Sequence, residues 1–434
     1  MINLPETGQK RIVIVGGGFA GISLALQLMK QDVQVVLIDK NNFHQFQPLF
    51  YQVAMSGLEP SSIIFPFRKL FQGKSNVFIR ITEVQKVDRI KKCLHTPYGP
   101  VNYDELVISI GADTNFYGNK NIEQHAIPMK SVSEALQLRN AILEDYEKAL
   151  TIQDYNVRQA LMDIVIVGGG PTGVEVAGAL AEMKKYILPK DYHEMNCKEI
   201  DIYLIQSGDA LLKGMSTESA VAAEEDLERL GVVVRKNVRV NDFDGKTVFM
   251  NDGSTINARK VIWAAGIKGN PIEGLSEHHF VRGGRIKVNR FNQLEDDPNI
   301  YAIGDIAYME EGKFEQGHPQ VAQVAIQQGK LLSKNFKRLG KGKELIPFTY
   351  KDLGSMATIG RNRAVVDLPG YTFKGFFAWT VWLFIHLFQI IGVKNKIFVF
   401  INWVWNYFTY DQSLRLIIKT NDGEPKKKVE GLSD

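Results

Sequence analysis

Six glycines in two copies of one spacing carry the chemistry of this chain. Gly16, Gly18 and Gly21 form G-x-G-x-x-G directly after the β-branched run Ile12-Val-Ile-Val15. Gly168, Gly170 and Gly173 repeat it after Ile164-Val-Ile-Val167, 152 residues later. In this pattern the first glycine allows a tight turn, the second lets a pyrophosphate approach the backbone, and the third lets the next helix pack close to the strand. The helix N-terminus then offers unpaired N–H groups and partial positive charge to phosphate. A second strand, Val33–Ile38, ends in Asp39, 23 residues after Gly16, where a carboxylate can bind a ribose diol. In the second copy the strand Ile200–Ile205 ends in Gln206. Two dinucleotide sites in one chain predict a bound flavin dinucleotide that receives hydride from an exchangeable nicotinamide dinucleotide. The bland alternative is one true site plus a glycine-rich turn.

Other residue pairs fall where ligands sit in parallel sheets, at the carboxyl ends of strands. Gly111-Ala112 follows the apolar run Glu105–Ile110, and Ala265-Gly266 ends Val261-Ile-Trp-Ala. Gly304-Asp305 follows Ile300-Tyr-Ala-Ile, and an Asp there can bond a ribityl chain; a plain turn Asp is the competing reading. On a helix predicted from Pro319 to Phe336, Gln323 and Gln327 are four apart and share a face, so their amides suit a ligand with two carbonyls. An exposed glutamine pair would look the same. Phe46-Gln-Pro-Leu-Phe-Tyr51 reads as a loop and helix over the flavin, or as ordinary core.

These residues must be positioned by an α/β fold with two Rossmann-type dinucleotide-binding domains and a C-terminal helical segment. The expected division is residues 1–115 and 287–345 for the flavin domain, 116–286 for the nicotinamide domain and 346–434 for the C-terminal domain. Ser131 with Glu134 should start a helix over 131–150, and Asn251-Asp-Gly-Ser254 should turn a hairpin. Composition agrees with a globular chain, at 45% hydrophobic and 23% charged residues over 434 positions. A net charge of +4 is too small to argue for nucleic acid but suits an anionic membrane surface.

The two cysteines, Cys93 and Cys197, show neither C-x-x-C nor metal-ligand spacing, so no metal site is expected. Asn41 to Ala54, where a disulfide reductase of this architecture would carry its dithiol, contains no sulfur. Electrons must leave the flavin for another acceptor. The first ten residues lack an apolar or Arg-rich leader, so no secretory or organellar signal is expected.

The last 90 residues change character. Phe376–Val393 has 18 residues without a fixed charge, then Lys394-Asn-Lys396 precedes the 14-residue run Ile397–Tyr410. Four of the five tryptophans lie here. The runs are marginal or too short to span a bilayer, and Trp/Tyr density with lysines is an interfacial signature. Two helices are expected, one face packed on the protein and the other dipped into a leaflet; a buried interface or core is the alternative. The tail from Pro425-Lys-Lys-Lys428 reads as disordered.

Taken together, these stretches resemble the type II NADH:quinone oxidoreductases, single-subunit, non-proton-pumping respiratory dehydrogenases. The likeness runs from Lys10 to about Tyr410. It is carried by Ile14-Val-Gly-Gly-Gly-Phe-Ala-Gly21, Phe46-Gln-Pro-Leu-Phe-Tyr-Gln-Val-Ala54, Gly168-Gly-Gly-Pro-Thr-Gly-Val-Glu175 and Trp263-Ala-Ala-Gly-Ile267. Ala302-Ile-Gly-Asp305, Leu353–Arg361 and especially Ala322-Gln-Val-Ala-Ile-Gln-Gln-Gly329, followed by an aromatic C-terminal segment, extend it. The resemblance implies FAD against Gly16, Gly18, Phe19, Ala20, Gly21, Asp39, Lys40, Gln47, Val84, Gly111, Ala112, Gly304, Asp305 and Ala322. It implies NADH against Gly168, Gly170, Thr172, Gly173, Glu175, Gln206, Ala265 and Gly266. Quinone, menaquinone or ubiquinone, is implied near Gln323 and Gln327, with Glu175 as a polar participant between nicotinamide and flavin; a dipole-favoured helix carboxylate is the plainer reading of Glu175. His386 and Glu175 are candidates for proton delivery, a core histidine being the simpler account of His386. A homodimer peripheral to the cytoplasmic face of a bacterial inner membrane is also implied.

One departure stands out: the family usually has Glu where this chain has Gln206, which opens the second site to NADPH beside NADH. The family's calcium-binding insertion is absent. The competing classes are a sulfide:quinone oxidoreductase, whose catalytic cysteines Cys93 and Cys197 are badly placed to supply, and an NAD(P)H-sensing membrane regulator without turnover.

Overall fold

The computed structural model describes residues 2–312, 314–410 and 414–418. The apolar run Arg11–Val15 forms the middle of a six-stranded sheet, parallel to Gln34–Asp39 on one side and Glu105–Ile108 on the other. Val77–Ile81 extends one edge, and Asp297–Ala302 adds in parallel at the other after a long excursion of the chain. Val13, Ile14, Val35, Val36, Leu37, Leu106 and Val107 are fully buried, as a sheet covered on both faces requires.

Helix α1 (Phe19–Leu28) leads off the first strand, and the short α2 (Phe50–Ala54) follows a 3₁₀ turn at Gln47–Leu49. Phe46, Leu49, Phe50 and Tyr51 are all buried in a core shared with the second sheet. The long α3 (Val132–Ala149) starts at the expected capping box: Ser131 accepts from the Glu134 N–H, and Glu134 accepts from the Ser131 N–H.

The second sheet has five parallel strands in the order Ile127–Pro128, Lys260–Trp263, Ile164–Val167, Ile202–Ile205, Val232–Arg235. Helix α4 (Pro171–Glu182) leads off its central strand and widens into a π-turn at Met183–Ile187. The Asn251–Ser254 hairpin joins Thr247–Met250 to Thr255–Asn257. A two-stranded antiparallel ribbon, Ala112–Thr114 with Ile267–Gly269, ties the ligand ends of the two sheets together.

Back on the first sheet, α5 (Ala322–Leu339) packs tightly on α1, because Gly329 has no Cβ to strike the Ala20 carbonyl 2.6 Å away. It starts three residues later than its sequence pattern suggests, since Val321 is extended. Two strands stop short of the segments whose sequence reads as extended, Phe78–Val84 and Glu105–Ile110: they end at Ile81 and Ile108, which leaves Val84 and Gly111 in loops.

A small antiparallel sheet, Ser355–Thr358, Ala364–Leu368 and Tyr371–Lys374, carries α6 (Phe376–Gln389) and then α7 (Val393–Thr409). The break between these helices comes earlier than expected. Ile390 is extended and Gly392 sits at φ +90°, where its missing Cβ makes room for the Phe65 ring. Lys394 and Lys396 therefore lie in the first turn of α7 rather than between the helices. No described helix is long and apolar enough to cross a membrane. The Pro425–Lys428 segment lies outside the described residues.

Candidate active site

The two glycine turns share one backbone plan. Gly16 has φ +101° and Gly168 φ +114°, a conformation that disfavours any side chain. Their N–H groups donate to the carbonyls of Ile38 and Ile205 at 2.8 and 2.9 Å. A Cβ on Gly16 would overlap the Ser109 carbonyl, and one on Gly168 the Ala264 carbonyl, so each turn is wedged against the neighbouring strand end. A Cβ on Gly21 would overlap the Gly16 carbonyl oxygen, and one on Gly173 the Gly168 carbonyl oxygen. Gly18 and Gly170 instead face open space within 4 Å, and each precedes a helix with no side-chain cap. Unpaired N–H groups aimed at open space at a helix start are what a pyrophosphate requires.

The residue ending each second strand braces its turn. Asp39 accepts from the Gly17 N–H at 2.6 Å and from the Asn41 N–H at 2.7 Å. Gln206 Oε1 accepts from the Gly169 N–H at 2.9 Å, and its Nε2 donates to the Ala210 carbonyl at 3.3 Å. Burial raises the Asp39 pKa, which the two backbone donors and the exposed Lys40 partly offset.

The remaining predicted positions gather at the same strand ends. Gly304, at φ +78°, donates to the buried Gln328 amide oxygen at 2.7 Å. Asp305 takes no protein donor on its carboxylate among the described residues; burial raises its pKa, against the pull of Lys130 and Arg285. Phe19 packs edge-on against His44 and Phe46, and Ala20 is buried beneath Gly304. Gln47 is exposed at the 3₁₀ turn, Thr172 is exposed in the first turn of α4, and Ala322 opens α5. The Tyr117 hydroxyl donates to the Ala265 carbonyl at 2.9 Å and lies against Gly266, where a Cβ would overlap it.

Gln323 and Gln327 are anchored. The Gln323 amide donates to Gly354 O at 2.6 Å and accepts from Tyr350 Oη and the Leu353 N–H, both at 3.1 Å. Gln327 donates to Lys351 O at 2.8 Å and accepts from the Lys351 N–H at 3.0 Å. Each amide thus keeps one N–H that no protein group takes among the described residues.

Glu175 projects from the second turn of α4 and is 9% exposed. Glu175, Gly178 and Glu182 lie on one helical face by their i, i+3, i+7 spacing. That face meets the C-terminal sheet: a Cβ on Gly178 would stand 2.7 Å from the Gly360 nitrogen, and Glu182 accepts from the Arg361 N–H. Burial pushes the Glu175 pKa up to about 8, with the Thr358 N–H facing the carboxyl and limiting the rise. The Trp382 indole N–H is also close, without reaching hydrogen-bond geometry. His386 stacks on Trp382 at 3.9 Å and donates Nδ1–H to the Trp382 carbonyl, and burial lowers its pKa to about 4. It is neutral at ordinary pH, with its one N–H spent on that carbonyl and Nε2 left as an acceptor.

Sequence reading passed over Ser109 and Gly178, and gave Gln328, Tyr51 and Thr358 no role of their own. The one local signal was the E-x-x-G-x-x-x-E spacing in α4; the others come together only through the fold. Cys93 is buried in a small sheet formed by residues 86–102, and Cys197 precedes the amino end of the strand Ile202–Ile205, so neither lies at the ligand ends of the strands.

The pyridine nucleotide-disulphide oxidoreductase family profile matches residues 10–329, and the NDH2 C-terminal domain profile matches residues 353–410. A type II NADH:quinone oxidoreductase of Mycobacterium tuberculosis is 33% identical over 98% of this chain and 93% of its own length. The structure of NDH2 from Plasmodium falciparum in complex with NADH superposes with TM-score 0.86 at 22% identity, covering 95% of this chain and all of that one. The sulfide:quinone oxidoreductase of Aquifex aeolicus gives TM-score 0.72 at 19% identity over 93% of this chain and 96% of its own. At those identities the two structures speak for the fold alone.

Proposed function

The chain belongs to the type II NADH:quinone oxidoreductases, and from that premise we propose how its own residues divide the work. The enzyme oxidises NADH and reduces quinone through FAD, without pumping protons. The carrying observation is the pair of matched glycine turns, each with an uncapped helix start facing open space. The first turn, Asp39, Gly304 and the Asp305 carboxylate, which takes no protein donor among the described residues, would hold FAD, which would supply the hydride acceptor for NADH and the two-electron donor to quinone. Gly168–Gly173 seats the nicotinamide dinucleotide, and Tyr117 over Ala265-Gly266 walls its far end. The free N–H groups of Gln323 and Gln327 hold the quinone carbonyls, with the backbone of 350–354 keeping both amides oriented. Glu175, protonated below about pH 8, supplies a proton to the quinone oxygen. The protein's share is mostly positioning.

The test is anaerobic. One equivalent of NADH should bleach the yellow protein, and menadione should restore the colour. Bleaching without recovery would remove the quinone assignment. Sulfide should not bleach it; sulfide bleaching would favour the competing enzyme class.

Gln206 favours acceptance of both nicotinamide donors. An amide keeps the hydrogen bonding of the usual Glu without repelling a 2′-phosphate. The NADH preference in kcat/KM should stay below about 10³-fold, roughly 4 kcal/mol, and Gln206→Glu should raise it at least about tenfold. A larger preference in the unmodified enzyme sinks this reading.

The C-terminal helices attach the enzyme to a bilayer surface. Phe388, Trp405 and Phe408 are 70%, 59% and 78% exposed on faces turned away from the protein. Burying such side chains in lipid gains about 1.5–3 kcal/mol each, so replacing Trp405 and Phe408 by Ser should cut binding to anionic vesicles more than tenfold while NADH bleaching persists. Unchanged vesicle binding would move the contact elsewhere. The cytoplasmic face and a homodimeric state complete the proposal.

A further inference from the structure

Two amides that bind quinone carbonyls must be held still, and one carboxylate behind them fixes both parts of the chain that do so. Gln323 lies between its own helix, α5, and the irregular segment 348–354. Its orientation admits no flip: the Leu353 N–H must meet an oxygen, and the Gly354 carbonyl must meet a donor. Gln327 is fixed in the same way by the N–H and the carbonyl of Lys351. The amides are therefore only as well placed as that segment, which belongs to no strand or helix.

Glu311 holds the segment. Its Oε2 accepts from the Tyr350 N–H at 3.0 Å and from His318 Nε2 at 2.7 Å, and its Oε1 accepts from Arg290 Nη2 at 3.2 Å. Against its burial, these donors keep the Glu311 pKa below the usual carboxylate value, so the group is ionised and can only accept. The His318 ring is buried among Phe314, Phe348 and Tyr350. Burial lowers its pKa, and its Nδ1 has no partner among the described residues, so its one hydrogen sits on Nε2 and points at Glu311. Arg290 reaches the same segment directly, donating to the Phe348 carbonyl at 3.0 Å and to Thr349 Oγ1 at 3.2 Å.

His318 stands four residues before the start of α5, and Gln320 Nε2–H donates to the carbonyl of Asp305 at 2.9 Å. One carboxylate thus ties the entry of the glutamine helix to the segment that orients the glutamines. Tyr350 completes the link. Held by its N–H, it donates its hydroxyl hydrogen to Gln323 Oε1 at 3.1 Å.

We infer that Glu311 and Tyr350 are positioning residues for quinone, acting on it through the aim of the Gln323 and Gln327 amides. The inference rests on the reading of those amides as the quinone's hydrogen-bond donors. Losing the clasp should weaken quinone binding and spare oxidation of NADH, which uses neither the glutamines nor segment 348–354.

The experiment compares Glu311→Gln and Tyr350→Phe in the FAD-loaded enzyme, each alone and on a Gln323→Ala/Gln327→Ala background. Tyr350→Phe leaves the carboxylate in place, so it reads the same link should Glu311→Gln fail to retain flavin. Menadione is the probe. Its dissociation constant, from titration calorimetry without NADH, and its KM should each rise about tenfold in Glu311→Gln and about threefold in Tyr350→Phe, as expected for a lost orienting hydrogen bond. The kcat and the rate of bleaching by NADH should stay near normal. On the background lacking both glutamines, neither substitution should weaken menadione binding further, because the effect travels through those amides. Unchanged menadione binding in both variants overturns the inference. So does a weakening of equal size on the double-alanine background, or equal slowing of both half-reactions. Normal menadione binding in Gln323→Ala/Gln327→Ala itself sinks the reading of the glutamines, and this inference with it. Weak binding there, with normal binding in Glu311→Gln and Tyr350→Phe, sinks the inference alone.

Discussion

Gly173→Ala should give a yellow protein that NADH no longer bleaches, and Gly21→Ala a protein that purifies without flavin colour. The two substitutions add the same methyl to the same place in the two turns, over the carbonyl of the first glycine of each. Neither helix can keep its distance from its strand. α1 is sandwiched between that strand and α5, where Gly329 already allows backbone contact with Ala20, so it cannot move aside cheaply. Overpacking of this kind costs about 1–3 kcal/mol in stability. Displacing the helix start also forfeits its phosphate contacts. A loss of some 4 kcal/mol there is about 10³-fold in affinity. The readouts are the flavin absorbance of the purified protein and the rate of its bleaching by NADH. Bleaching of the Gly173→Ala protein at the normal rate would mean that the second turn does not seat the hydride donor.

The second large effect is expected at Glu175. Glu175→Gln should slow quinone reduction about 10²- to 10³-fold, the usual worth of a positioned general acid, and leave bleaching by NADH nearly intact. The pH profile carries the sharper test. In the unmodified enzyme the rate of quinone reduction should be level below about pH 7 and fall above about pH 8, as burial lets Glu175 lose its proton only there. The Gln variant should lack that limb. Stability should follow the same group. Its folded pKa lies above the unfolded one, so its contribution is whole below about pH 4.5 and disappears as pH rises to 8. The stability of Glu175→Gln should therefore gain on the unmodified chain across that window, by an amount on the order of 5 kcal/mol for a carboxyl this buried, read as melting temperatures that diverge with pH. Parallel melting curves at pH 5 and pH 9 would show that the carboxyl is not desolvated.

The effects at Gly173 and Glu175 trace to α4, which begins at the second glycine turn, presents Glu175 one turn later and ends at Glu182 against Arg361. Arg361 in turn donates to the Asn406 and Tyr407 carbonyls near the end of α7. One helix thus runs from the proposed nucleotide seat past Glu175 to a residue that holds the end of α7.

What the amino-acid sequence determined by itself is the local chemistry. The spacing of Gly16, Gly18 and Gly21, and its copy at Gly168, needs only the sterics of a residue without Cβ and the periodicity of the flanking strand and helix. The Ser131–Glu134 cap, the hairpin at Asn251 and the two aromatic helices are likewise set by interactions within a few residues. Tertiary structure alone decided where these pieces meet. Nothing local says that Gln323 and Gln327 spend most of their amide groups on residues 350–354, that Gly392 opens a break for the Phe65 ring, or that Tyr51 and Thr358, 307 positions apart, share a hydrogen bond. The pKa of Glu175 belongs to the same class. Its carboxyl is ordinary in the chain, and its pKa rises to about 8 only because the fold closes over it and removes the water that would have kept it charged.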